Sequence, residues 1–154
     1  MVFVCAILQC MSKLFIGLRK LILNRRGVVF ILLRPDNTSL LQLRDGNSRR
    51  FPHRWCWPGG ACDSGESFID TAIREIKEEY ELSVEKEDVT LLMSKYFGQQ
   101  KIFICKVSQD VLPIMHEGAD MKWMGVNEIK LVSLGYNQED ILRKFEKYLL
   151  KKCA

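Results

Sequence analysis

Two short apolar runs separated by a turn signal lie between residues 27 and 43. Residues 27–33 are apolar and rich in β-branched side chains, and residues 39–43 are again mostly apolar. The Pro-Asp-Asn triplet at 35–37 between them is typical of a turn. This pattern predicts a β-hairpin. A polar and basic loop is expected over residues 44–54, and a short strand interrupted by a proline and two glycines is expected over 55–60.

The next segment changes to a helical period. Its apolar residues recur at spacings that place them on one face of a helix over residues 67–80. These residues are Ile69, Ala72, Ile73, Ile76 and Tyr80. The spacing therefore predicts an amphipathic helix with one buried face.

Further strands and a last helix complete the pattern. Strands are predicted over residues 89–93, 102–107 and 121–126. Asn137 is predicted to cap a final helix, whose apolar stripe consists of Ile141, Leu142, Phe145, Tyr148 and Leu149. The order of strands, helix, strands and helix predicts an α+β fold, namely an α/β/α sandwich with a mixed sheet.

Length and composition are those of one globular domain. The chain has 154 residues, of which 47% are hydrophobic, and this is enough apolar surface for one core. A net charge of +4 permits contact with nucleotides or RNA but is too small to indicate tracking of a long phosphate backbone. The six cysteines form no CxxC pair, so we expect reduced thiols in a cytoplasmic protein and no zinc site.

The first residues differ from the rest of the chain. The apolar run near the start is too short to span a bilayer, and the first acidic residue is Asp36. We interpret residues 1–24 as an N-terminal extension or an extra element packed on the core, with organelle targeting left open. Residues 25–154 are predicted to form the functional domain.

The helix over 67–80 also carries a cluster of acids. Glu75, Glu78 and Glu79 are spaced at i, i+3 and i+4, which places three carboxylates on one side of the helix. A solvated acidic face is one interpretation. The glycines at 59, 60 and 65 and the acid Glu66 favour another, because they allow close backbone approach ahead of an oxygen-rich site. Hard oxygen ligands suit Mg²⁺ or Mn²⁺, and such a cation neutralises a diphosphate.

At this point the sequence resembles the Nudix hydrolase family. The family motif is a glycine, five residues, a glutamate, seven residues, Arg-Glu, an aliphatic residue, any residue, Glu-Glu, any residue, a glycine and an aliphatic residue. The positions that match in register are Gly60, Glu66, Arg74, Glu75, Ile76, Glu78, Glu79 and Leu82. Only the late glycine is missing, because Glu81 stands in its place.

The resemblance implies roles for particular residues. It implies that Glu75, Glu78 and Glu79 ligate the metal, and that the backbone carbonyl near Gly60 assists them. Arg74 would orient a catalytic carboxylate by pairing with glutamate. A further acid from a later loop, for which Glu117 is the candidate, would bind metal or activate water. The alternative for that residue is an ordinary loop glutamate.

The departure at Glu81 falls where the family glycine favours a left-handed helix end. A residue with a Cβ there costs about 1 kcal/mol if that conformation is kept, unless the helix end is rebuilt. Since the implied metal ligands lie upstream, we expect altered stability or local shape without loss of catalysis.

The predicted function is hydrolysis of a phosphoanhydride in nucleoside triphosphates or related, including oxidised, nucleotides by water attack. In this interpretation Glu75, Glu79, Arg74 and Glu117 are catalytic, and Mg²⁺ or Mn²⁺ is the cofactor. The candidates for substrate binding include stacking side chains, and they are Gly59, Gly60, Arg44, Trp55, Trp57 and Phe103. Core packing is the alternative for at least two of the three aromatic residues. A small MutT-like enzyme is what remains by elimination, since residues 83–112 lack the proline common in the sugar-nucleotide branch.

Three alternatives stay open. Tyr96 is a buried strand aromatic or the tyrosine that dinucleoside polyphosphate hydrolases tend to carry in this region. The basic loop before the motif could grip the phosphates of capped or triphosphorylated RNA, or its charges could simply be solvated. The third alternative is a different class of function, namely a non-catalytic nucleotide-binding sensor. The oligomeric state is also open and could be monomer or homodimer.

Overall fold

A computed structural model describes residues 26–152 of the chain. The predicted N-terminal element at 1–24 lies outside the described residues. The six strands are Gly27–Leu33 (β1), Ser39–Leu43 (β2), Trp55–Cys56 (β3), Val89–Lys95 (β4), Gln100–Lys106 (β5) and Asp120–Met124 (β6). The three α-helices are Phe68–Tyr80 (α1), Val126–Ile129 (α2) and Glu139–Lys152 (α3).

The strands form one mixed sheet, as the sequence pattern predicts. Its order is β3-β2-β1-β5-β4, and β6 pairs with β2 outside this path. β1 and β5 are parallel, whereas the other pairs are antiparallel. The two parallel strands are almost continuously buried, because helices cover the sheet on both of its faces.

The alternation of side chains along β1 assigns its residues to two cores. Val29 and Ile31 belong to the cluster that contains Phe145 of α3, and Phe30 packs in the cluster that contains Tyr80 of α1. Each fully buried aliphatic or aromatic side chain contributes about 1.5–3 kcal/mol of transfer free energy. The predicted α/β/α sandwich is therefore confirmed, and the period of two residues is its physical cause.

One predicted helix start is wrong. α3 begins at Glu139, directly after Gln138, whose carbonyl accepts a hydrogen bond from Leu142 N at 2.9 Å. Asn137 instead adopts a left-handed backbone with φ 51°, because the chain turns there before it enters the helix. The apolar stripe of α3 is confirmed, since Ile141, Leu142 and Phe145 are buried.

Within residues 26–152, none of the helices has both the length and the apolar character needed to cross a membrane.

Candidate active site

The segment between β3 and α1 lies directly against β1. Pro58 O accepts a hydrogen bond from Phe30 N at 3.0 Å, and Gly60 O accepts one from Val28 N at 2.9 Å. A Cβ on Gly59 would lie 2.1 Å from Val28 O, and a Cβ on Gly60 would lie 2.0 Å from the Glu75 carboxylate. The two glycines thus let the chain approach β1 and leave room for a carboxylate of α1.

The start of α1 is fixed by its cap. Ser67 has an extended backbone, and its Oγ accepts a hydrogen bond from Asp70 N at 3.1 Å. Just before the cap, Glu66 accepts bonds from Thr71 Oγ1 at 2.7 Å and from Asp63 N at 3.1 Å. These contacts place Glu66 beside the first turn of the helix.

Arg74 connects the acids of the motif. Its Nε donates to Glu66 Oε1 at 2.9 Å, and its Nη1 donates to Glu75 Oε1 and Glu78 Oε2 at 3.0 Å each. Its Nη2 donates to Ala61 O and to Glu66 Oε2, both at 3.1 Å. The hydrogen bonds from Arg74, with those from Asp63 and Thr71, lower the pKa of Glu66 to about 2. The contact with Glu75 agrees with the orienting role that the resemblance implies for Arg74.

Glu79 is the buried acid of the site. Its residue is only 9% exposed, and its Oε2 is buried without a hydrogen-bond partner among the described residues. Burial, followed by the neighbouring carboxylates of Glu117 and Glu75, raises the pKa of Glu79 to about 8. A buried carboxylate oxygen without a partner is costly, so a cation or a proton is its natural complement.

Glu75 is a second acid of the helix with a raised pKa. Burial raises its pKa, and its bond with Arg74 opposes the shift. The segment from Glu66 to Glu79 therefore carries acids with opposite pKa shifts within a short distance along the chain.

The loop that carries Glu117 is docked on the C-terminal end of α1. Ile114 N donates to Tyr80 O at 3.1 Å, and His116 N donates to Glu79 O at 3.0 Å. Arg44 Nη1 donates to Glu117 Oε1 at 3.3 Å. The fold thus brings Glu117 into the electrostatic neighbourhood of Glu79, although the two residues are distant in sequence.

Glu81, which replaces the glycine of the family motif, ends the helix in the same left-handed conformation that the glycine favours. Glu81 adopts the left-handed conformation with φ 56°, and its N–H donates to Lys77 O. Its Oε1 accepts a hydrogen bond from His116 Nε2 at 2.7 Å. Of the two predicted alternatives, the left-handed helix end is therefore kept and is not rebuilt.

The donor set fits a hard divalent cation. Carboxylates of Glu75, Glu78 and Glu79 are oxygen ligands of the kind that Mg²⁺ and Mn²⁺ prefer, and Glu79 carries the buried oxygen without a partner. Gly60 O keeps one lone pair beyond its bond with Val28. In residues 26–152 no three acidic, histidine or cysteine side chains converge as a ready cation cage. Glu75 and Glu78 each accept a hydrogen bond from Arg74 Nη1.

A cleft of about 470 Å³ opens beside Gly59 and Gly60. Arg44, a predicted substrate-binding residue, is among the residues that line it. Polar, basic and aromatic side chains from distant parts of the chain add to its walls, and they are Gln42, Arg50, Lys95, Tyr96, Gln99, Gln100, Tyr136 and Gln138. Such a lining suits a ligand with both a ring and negative charge.

Two of the predicted stacking residues belong to the core. Trp57 is 1% exposed, and its Nε1 donates to Ser39 Oγ at 3.1 Å. Phe103 is 4% exposed and lies in the cluster beneath α1. Core packing, the alternative that the sequence left open for at least two of the aromatic residues, is thus the outcome for both. Trp57 is among the residues that line the cleft, but its enclosed ring offers no free face to a base. Trp55 is partly buried against the α3 side of the core and is not among the residues that line the cleft.

The structure offers two other aromatic residues. Tyr96 is 59% exposed and lines the cleft, so its interpretation as a buried strand aromatic is wrong. Tyr136 also lines the cleft and packs against Phe51, with ring centroids 4.8 Å apart. Tyr136 has no signal in the sequence beyond its position in the loop before the last helix.

Comparison with known proteins now decides the family. The NUDIX domain family matches residues 23–145. The chain belongs to the Nudix family. The family resemblance seen in the sequence is therefore confirmed.

Individual relatives are more distant. A Xenopus laevis protein, nucleoside diphosphate-linked moiety X motif 6, is 27% identical over 73% of this chain and 61% of its own length. A Caenorhabditis elegans bis(5'-nucleosyl)-tetraphosphatase (asymmetrical) is 29% identical over 64% of this chain and 78% of its own length. A solved MutT structure, from work on Aliivibrio salmonicida and Vibrio cholerae, has a TM-score of 0.65 at 19% identity. It covers 79% of this chain and 95% of that one, and it shows the shared fold.

Proposed function

We propose that this Nudix domain is a Mg²⁺- or Mn²⁺-dependent pyrophosphohydrolase of nucleoside triphosphates or related, including oxidised, nucleotides. The observation that carries the proposal is the buried, unpartnered carboxylate oxygen of Glu79 beside Glu75 and Glu117. Burial of a carboxylate oxygen without a partner destabilises a protein that binds no cation. In a protein that binds one, the same oxygen is available as a metal ligand.

Glu75, Glu78 and Glu79 would hold the metal, with Gly60 O and Glu117 as further oxygen ligands. When bound, a divalent cation supplies charge neutralisation of the diphosphate and a more acidic water. Arg74 holds Glu75 and Glu78 from one side through its two 3.0 Å bonds. One carboxylate among Glu75, Glu79 and Glu117 accepts the proton of the attacking water.

The cleft supports a nucleotide as substrate. Arg44, Arg50 and Lys95 line it and supply positive charge for phosphate oxygens. Tyr96 and Tyr136 supply the apolar faces on which a base stacks. Gly59 and Gly60 lie between this cleft and the carboxylates of α1, so the diphosphate would cross them.

A dinucleoside polyphosphate is the second candidate substrate. Two observations favour it, namely the exposed Tyr96 at the cleft and the C. elegans tetraphosphatase relative. Capped or triphosphorylated RNA has less support, because only two members of the predicted basic group line the cleft, Arg44 and Arg50, whereas Arg49, His53 and Arg54 do not. Retention of Arg74 and the three helix glutamates argues against a pure sensor, which has less need of them. The expected partner is thus a small nucleotide, and a cytoplasmic location remains our prediction.

The test is release of phosphate or pyrophosphate with Mg²⁺ from a panel of substrates. The panel contains nucleoside triphosphates, oxidised nucleotides, dinucleoside polyphosphates, ADP-ribose and capped RNA. We expect turnover of a nucleoside triphosphate or a dinucleoside polyphosphate. No turnover of any member would refute the enzymatic proposal and favour the sensor.

Glu79→Gln provides the matched variant. It should lower turnover by about a hundredfold or more, because it removes both a metal ligand and a candidate base. Glu87→Gln, an exposed acid outside the site, should leave turnover unchanged. Undiminished turnover in Glu79→Gln would refute the assignment of this residue.

A further inference from the structure

Glu81 and His116 are joined by a side-chain hydrogen bond that the family motif does not supply. The motif has a glycine where this chain has Glu81, and Glu81 Oε1 accepts from His116 Nε2 at 2.7 Å. The two residues come from different elements, the end of α1 and the loop before β6. The bond therefore ties that loop to the helix that carries the metal-binding acids.

The same loop is fixed by backbone bonds on both sides of Glu117. His116 N donates to Glu79 O at 3.0 Å on the helix side, and Ala119 N donates to Leu43 O at 2.8 Å on the sheet side. Carbonyls at a helix end lack partners within the helix, so the loop supplies one for Glu79. The position of Glu117 is set by how firmly this short segment is held.

The Glu117 side chain itself has weak restraints. Its hydrogen bond from Arg44 Nη1, at 3.3 Å, is longer than the 2.7 Å bond between His116 and Glu81 and lies beyond the usual N–H···O range. The position of the Glu117 carboxylate therefore depends mainly on the backbone of the loop that carries it.

We propose that Glu81 and His116 are positioning residues that hold the loop against α1 and so keep the Glu117 carboxylate beside Glu79. The inference rests on the proposed catalytic function of Glu117. Neither residue contacts the substrate in this scheme, because both act through the backbone of the loop.

Three variants distinguish this positioning role from a contribution to the stability of the fold alone. Glu81→Gly restores the family residue, suits the left-handed conformation and removes the hydrogen bond. His116→Ala removes the same bond from the other side. Glu81→Gln keeps an oxygen that accepts from His116 Nε2 and is the conservative control.

Kinetics give the first readout. Glu81→Gly and His116→Ala should lower kcat about 10- to 100-fold, the scale expected when a catalytic group is misplaced by about 1 Å, with little change in KM. Glu81→Gln should retain the wild-type kcat. In a Glu117→Gln background, Glu81→Gly should cause no further loss, because the group that it positions is already gone.

Hydrogen exchange gives a readout that does not depend on turnover. The amides of Ile114, His116 and Ala119 should exchange faster in Glu81→Gly and His116→Ala, and at the wild-type rate in Glu81→Gln. Wild-type kcat and wild-type exchange in Glu81→Gly would overturn the proposal. So would an equal loss of kcat in the Glu117→Gln background, or a Glu81→Gln variant that behaves like Glu81→Gly. If the wild-type protein hydrolyses nothing, the proposed function fails, while the exchange rates still decide whether the pair holds the loop.

Discussion

At the residue scale, one short segment holds acids in opposite electrostatic environments. Arg74 donates two hydrogen bonds to Glu66, and the pKa of that carboxyl falls to about 2. Glu79 is buried beside other acids, and its pKa rises to about 8. Environments that separate the pKa values of neighbouring carboxyls are typical of sites that need both a fixed charge and a proton acceptor.

The raised pKa of Glu79 predicts how stability depends on pH in the metal-free protein. An unfolded glutamate has a pKa near 4.5, so between about 4.5 and 8 the folded state binds a proton that the unfolded state has released. The contribution of Glu79 is therefore fully present below pH 4.5 and is lost as the pH rises to about 8. We expect Glu79→Gln to exceed the wild type in free energy of unfolding above pH 8, by on the order of a few kcal/mol.

Chemical denaturation at several pH values in the presence of a chelator measures this difference. Glu66 acts in the opposite sense, since its lowered pKa gives stability above pH 4.5 that is lost toward pH 2. A constant difference between Glu79→Gln and the wild type from pH 5 to 9 would contradict the prediction.

Arg74→Lys tests the geometry of the arginine. A lysine is a point charge with one nitrogen, and it cannot reproduce bonds from Nε, Nη1 and Nη2 to Glu66, Glu75 and Glu78. We expect a loss of about 1–3 kcal/mol of unfolding free energy together with reduced turnover. Arg143→Lys, on the exposed side of α3, is the control for the substitution itself, and equal behaviour of the two variants would count against the assigned geometry.

At the element scale, α1 is the part of the fold that presents the acids, and its start depends on Ser67. The hydroxyl accepts from Asp70 N, one of the helix N–H groups that lack a partner within the helix. Ser67→Ala should cost about 1 kcal/mol of unfolding free energy. Ser67→Asn retains a capping oxygen and should stay near the wild type in the same thermal or chemical denaturation, whereas an equal loss in both would show that capping is not the cause.

The segment at 58–60 sets the distance between β1 and the helix acids. Gly59→Ala places a Cβ about 2.1 Å from Val28 O, which forces the segment away from β1. We expect a loss of several kcal/mol of unfolding free energy, roughly the upper range for single substitutions. Gly125→Ala is the control, because its Cβ would meet nothing closer than 4.0 Å, and denaturation should show a loss below about 1 kcal/mol.

At the scale of the whole molecule, the cleft is assembled from residues that no single element contains. Arg44 follows β2, Tyr96 follows β4, and Tyr136 precedes α3. Because the sheet brings these element ends together, a pocket with charge and aromatic surface forms next to the glycines at 59 and 60. The proposed substrate site is thus a property of the tertiary arrangement.

The two tyrosines predict an effect on substrate affinity. Tyr96→Ala and Tyr136→Ala should raise KM for the best substrate of the panel by about 5- to 50-fold, the equivalent of roughly 1–2 kcal/mol of lost stacking, with a smaller effect on kcat. Tyr→Phe at each position should keep most of the affinity. Phe97→Ala removes a fully exposed ring beside Tyr96 that is not among the cleft-lining residues, and a KM shift equal to that of Tyr96→Ala would contradict the assignment.

The sequence by itself determined the elements and the acids. Short-range periodicity placed β1, α1 and the apolar stripe of α3, because side-chain spacing in strands and helices is a local property. Fixed spacing likewise singled out Glu75, Glu78 and Glu79, since residues three and four apart share a helix face. The family followed from the same spacing.

Only the tertiary structure decided which side chains meet across the fold. It enclosed Trp57 and Phe103 in the cores and exposed Tyr96, because burial depends on which layer covers each face of the sheet. It also bonded the loop that carries Glu117 to the backbone of Glu79 and joined Glu81 to His116. The separation of these residues along the chain carries no information about their distance in space. The sequence gives the positions of the aromatic and acidic residues, but the packing of the helices on the sheet determines which of them lie in a core and which line the cleft.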